Sequence, residues 1–69
     1  MNLIKKKKVK KQIAEIMAGN DLGKLIVDGI ITKYNIVDVE DIESLTSLKG
    51  QLDADNAVMQ SMLDGMNSK

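Results

Sequence analysis

From Val39 to Met66 apolar side chains return every three or four residues: Val39, Ile42, Leu45, Leu48, Leu52, Met59, Met62 and Met66. That spacing keeps them on one face of an α-helix, and only Asp55 interrupts the rhythm. Asp38 supplies an N-cap, and Glu40 and Asp41 fill the first turn, where the helix dipole favours acids. Gly50 costs about 1 kcal/mol inside a helix, and Asp53 or Asp55 offers a cap for a fresh one. The phase survives across Gly50, so the pattern predicts one long helix over about residues 39–64.

The rest of the chain carries the same period. Val9, Ile13, Ile16 and Met17 define a first helix over about residues 7–18, closed by Gly19-Asn20 as a left-handed stop. Asn20 or Asp21 can cap a second, with Leu22, Leu25, Ile26 and Ile30 along one side and Val27 and Ile31 widening the stripe. It runs to Tyr34, unless Gly29 ends it and IITKYNIVDV forms a short β-hairpin. The helical reading is the stronger. The expected fold is therefore all-α: one small domain over residues 1–69 with three helices, or four if the last breaks at Gly50. Residues 1–6 form a frayed basic arm.

Composition agrees. Phe, Trp and Pro are absent and Tyr34 is the one aromatic residue, so Leu, Ile, Val, Met and Ala make the core, which suits helix packed on helix. There is no Cys and no His, which removes disulfides, thiolate metal sites and the commonest metal ligand and general base. No cofactor is expected. Area scaling for a 7.6 kDa chain gives roughly 11,000 Å² unfolded and about 4,300 Å² folded. Burial and ordering terms, each on the order of 100 kcal/mol, then cancel. A lone chain sits near break-even, and a partner chain is the available supplement.

Three motifs dissolve on inspection. GNDLGK at 19–24 has three residues between its glycines where a phosphate loop needs four, and Leu25 where it needs Ser or Thr. DADNAVMQSMLD at 53–64 places Ala57, Val58 and Asp64 where a calcium loop needs a ligand, a glycine and a glutamate. The acids of VDVEDIES at 37–44 spread over a solvated helical turn, without a pocket to separate their pKa values. No residue set combines nucleophile, base and orienter, so an enzyme is not expected.

Charge is the sharpest global feature. Residues 1–14 hold six lysines and no acid, whereas the remainder holds four lysines and ten acids, for a net charge of zero. Lys5, Lys6, Lys7, Lys8, Lys10 and Lys11 form a run able to hold phosphate. With no arginine and no aromatic interleaving, it offers only non-specific nucleic-acid contact. All ten basic residues are lysine, a usage that fits an AT-rich coding sequence such as that of a phage or other mobile element. The longest apolar run is three residues and no secretory signal is evident, so the expected location is the cytoplasm or a particle assembled there.

These features point to a non-enzymatic assembly or adaptor protein. It meets itself or another protein through Leu52, Met59, Met62 and Met66 of the C-terminal helix, Met being an adaptable side chain at such surfaces. The rival reading is a nucleic-acid-associated protein held by the lysine run. Neither needs a membrane or a small-molecule substrate.

Overall fold

The computed structural model describes residues 2–67. Its described part contains two helices, α1 over Leu3–Lys33 and α2 over Val39–Asn67. They lie antiparallel as a hairpin of 50 × 16 × 12 Å. At about 1.5 Å per residue a 31-residue helix is about 46 Å long, so the molecule is a rod one helix thick.

The expected three-helix count is thus corrected to two. The Gly19-Asn20 stop does not operate: no glycine adopts positive φ, and α1 runs through Gly19, Gly23 and Gly29. The reason is phase. Lys6, Lys10, Ile13, Met17, Asn20, Lys24, Val27 and Ile31 alternate at spacings of four and three, and all are shielded by α2. A break at residue 19 would uncouple the two halves of that row. The inter-helix contacts they share outweigh the glycine cost of about 1 kcal/mol.

α1 also begins earlier than its lysines suggest. Asn2 caps it, the Lys5 N–H donating to Asn2 Oδ1 at 2.9 Å. The helix therefore starts at Leu3 and includes all six lysines of the basic run; Met1 lies outside the described residues. At the other end the stop is Asn35, in the left-handed region at φ 49°, a conformation Asn tolerates. The Ile36 N–H reaches back to the Ile31 carbonyl at 3.0 Å and the Tyr34 N–H to the Ile30 carbonyl at 3.1 Å, tying off the last turn. Residues 30–33 are helical, and the described residues hold no β-hairpin.

α2 opens as its sequence predicts, the Asp41 N–H donating to Asp38 Oδ1 at 3.1 Å. It passes Gly50 unbroken. Its inner row is Ile42, Leu45, Lys49, Leu52, Asn56, Met59, Leu63 and Met66, at spacings of three and four, the knobs of a two-stranded coiled coil. The sequence places Leu48, Asp55 and Met62 in that row. The structure puts their C-terminal neighbours Lys49, Asn56 and Leu63 there instead, because polar Lys49 and Asn56 can bury their stems while their heads find partners.

Among the described residues only Ile13 and Val27 are buried, at 7% and 4% exposure. The surface is 5310 Å², against about 4,300 Å² for a compact protein of this mass. Stability thus rests on few side chains. Ile13→Ala is expected to cost about 2–4 kcal/mol, enough to abolish a cooperative thermal transition followed at 222 nm. Leu25→Ala, on an exposed site, should leave that transition within about 0.5 kcal/mol.

Candidate protein-interaction surface

A seam between two helices has two flanks, and the residues beside the inner rows show which is which. Asp21, Asp28 and Asp53 each follow an inner-row residue, and together with Lys24, Leu25 and Lys49 they line one shallow open groove. This flank is polar and internally paired. Lys24 bridges Asp21 at 3.3 Å and also binds Asp53, and Lys49 meets Asp28 at 2.7 Å. Hydrogen bonds donated to Asp53 first and to Asp21 second hold the Lys24 ammonium above the ordinary lysine value of 10.5. These are solvent-screened pairs that fix geometry more than they stabilise.

The seam carries a polar latch close by. Asn20 Nδ2 donates to Asn56 Oδ1 at 2.9 Å, and Asn56 Nδ2 donates to Asp21 Oδ1 at 3.0 Å and to the Met17 carbonyl at 3.3 Å. Each amide satisfies the other only in this register, since a shift of one heptad would bury both against aliphatic neighbours.

The opposite flank comprises the residues that precede the inner rows: Ile16, Gly23 and Ile30 on α1, and Leu48, Asp55 and Met62 on α2. Ile26 on α1 and Val58 on α2, which precede Val27 and Met59, extend it outward by helical spacing. It is apolar and open, with Ile16 50%, Ile26 54%, Leu48 44% and Met62 48% exposed. Asp55 is the acid of its middle stretch, and Asp41, which precedes Ile42, lies on the same side near the loop. At Gly23 a Cβ would stand 3.2 Å from Leu52 Cδ1, so glycine lets the helices close up here. Gly19 has nothing within 4 Å of where its Cβ would be, leaving bare backbone on the open side. A contiguous apolar strip of this kind on a small chain marks an interaction site.

Of the residues that sequence reasoning assigns to a protein interface, Leu52, Met59 and Met66 turn towards α1, half-buried, and Met62 alone stands on the open flank. Ile16, Ile26, Leu48 and Val58 were not in that set. Ile16 and Ile26 belong to the stripes expected of two shorter helices, Leu48 to the seam of the long one and Val58 to none, so the stripe they share on one flank stays hidden. Of the lysines, Lys6 and Lys10 fall on the seam side, and Lys10 donates to Asn67 Oδ1 at 2.6 Å. Lys5 and Lys8 line a shallow depression with Val9 and Gln12, and Lys7 and Lys11 are exposed.

The antiparallel fold also separates charge along the rod. The end made by residues 2–18 and 55–67 holds six lysines and three acids; the loop end, residues 19–54, holds three lysines and seven acids. Among the described residues, no cluster of three or more His, Cys, Asp or Glu could hold a metal ion, and no helix is long and apolar enough to cross a membrane. In comparisons with known proteins, no family model, curated protein or solved structure matches the chain.

The latch makes an asymmetric prediction. Asn56→Ala strips Asn20 of its partner and should cost about 1–3 kcal/mol in denaturant unfolding. Replacing both Asn20 and Asn56 by Leu should raise the melting temperature, while multiplying amide resonances in a ¹H–¹⁵N spectrum as alternative registers become populated.

Proposed function

We propose that the protein is a non-enzymatic assembly module, which binds another protein chain along the apolar flank of its helical hairpin. The observation that carries this reading is the contrast between the two flanks. One closes its charges among themselves through Lys24 and Lys49; the other displays Ile16, Ile26, Leu48, Val58 and Met62 to solvent. Covering that strip with a further helix or pair of helices is the ordinary way for such a rod to complete a core.

Contact spread over a flank of both helices is a different arrangement from the C-terminal helix acting alone. In it, Leu52, Met59 and Met66 hold α2 against α1, and Met62 meets the partner. The test is site-specific photo-crosslinking in cells that produce the protein. A benzophenone side chain at Ile26 or Met62 should give a discrete protein adduct, and one at Leu25 or Gln60, away from this flank, should not. Equal adducts from all four positions, or none from any, would overturn the reading.

The lysine end supports a second reading, non-specific nucleic-acid contact, because among the described residues its six lysines form no ion pair. If these side chains grip phosphate, changing Lys5, Lys6, Lys7 and Lys8 together to Gln should weaken duplex binding equally for all sequences. It should also lower the salt slope by about 3–4. Duplex binding that the quadruple substitution leaves unchanged would exclude this role.

A further inference from the structure

We infer that the chain seated on the apolar flank is a second copy of this protein, packed antiparallel, so that two hairpins close a four-helix bundle. The inference rests on the flank being an assembly surface and adds what occupies it and in which direction.

Three observations identify the occupant. The first is area: the chain exposes 5310 Å², about 1,000 Å² more than a compact protein of its mass. A partner in a standard protein interface contributes about 800 Å², so one such contact accounts for the excess. The second is charge. A rod basic at one end and acidic at the other offers an unrelated partner of one sign only half a match. A second copy lying head to tail matches both ends at once: Lys5 of each copy, which precedes Lys6, runs towards Asp41 of the other, which precedes Ile42. Lying parallel, the same two copies would set lysine against lysine and acid against acid.

The third is shape. A two-fold contact requires one patch to be complementary to itself. The strip has an open point close to mid-length, since α1 spans Leu3–Lys33 and Gly19 carries no neighbour within 4 Å. Ile16 and Ile26 flank it along α1, with Val58 and Met62 across the seam on α2. A two-fold axis passing there lets the apolar side chains of one copy fall between those of the other. Asp55 stands within this contact, between Leu48 and Met62, so its carboxylate opposes the pairing, a cost that a leucine there removes.

The experiment is sedimentation equilibrium of the full chain over a range of concentrations, at low and high salt. The expected species is twice the 7.6 kDa chain mass, and salt should weaken it by screening the end-to-end pairing. Ile26→Lys and Met62→Lys should each raise the dimer dissociation constant about tenfold to a hundredfold, whereas Asp55→Leu should lower it.

Direction is read separately, exploiting a chain with no native cysteine. Lys5 and Ser44 lie about 40 Å apart within one hairpin, being some 28 helical residues apart along the rod. A mixture of Lys5→Cys and Ser44→Cys chains treated with a short bismaleimide should therefore cross-link one chain of each kind, and Lys5→Cys chains alone should not. Efficient cross-linking of Lys5→Cys chains alone would mean a parallel pair and overturn the inference. So would a monomer at every concentration. If the wild-type chain is monomeric yet the Ile26 photo-crosslink joins a different protein, the second-copy inference fails while the assembly reading of the flank survives.

Discussion

Two inner rows, one on each helix, repeat at alternating spacings of three and four residues and meet along the length of a 50 Å rod. The rest of the structure depends on this shared phase. Because it continues through Gly19 and Gly50, neither glycine ends a helix. Because it includes Asn20 and Asn56, it has one preferred register, fixed where their amides meet. Because it includes Lys24 and Lys49, the charges on those stems emerge on the same side, where Asp21, Asp28 and Asp53 receive them. A two-helix seam has no third element to cover it, so among the described residues only Ile13 and Val27 are buried. The pairing accounts for the order of the chain and, equally, for how little apolar surface a single chain conceals.

The polar inner positions carry a cost that the apolar flank offsets. A coiled coil of pure Leu and Ile would be more stable alone but indifferent to register and stoichiometry. Here polar residues specify which way the two helices lie, and the apolar side chains that could have filled those places are turned outward. The result is a hairpin precise in its own pairing and incomplete in its burial, with a continuous part of that incompleteness on one side.

Sequence periodicity sufficed for the all-α class, the Asp38 cap and the unbroken passage through Gly50, because each depends on residues within a few turns. It was less informative wherever two candidate stripes run one residue apart. Leu48 and Met62 look more apolar than Lys49 and more natural in a core than Asn56, and a local reading takes them for the seam. What decides against them is the opposite helix, whose Asp28, Asn20 and Asp21 give Lys49 and Asn56 partners they lack in isolation. The Gly19-Asn20 stop fails for the same kind of reason: Asn20 is a breaker alone and a latch when Asn56 faces it. Asn35 was the real terminator, and nothing in its immediate neighbours distinguishes it from Asn20. The apolar flank was present in the sequence as Ile16, Ile26 and Ile30, but it became a surface only when one continuous α1 aligned them.

The five-residue connection at 34–38 orders the contacts of the hairpin by the length of chain they enclose. The Asp28–Lys49 pair closes a separation of 21 residues, the Asn20–Asn56 pair 36, and the Lys10–Asn67 pair 57. Formed in isolation, the last would cost about 1 kcal/mol more in chain entropy than the first. Folding that starts at the turn avoids this, since each layer brings the next within reach, and the helices close like a zip from Asn35 towards the termini. The lysine-bearing end then joins last and opens first. Amide exchange along both helices should accordingly slow from the termini towards the loop, and the end that carries the greatest positive charge is also the end most ready to come apart.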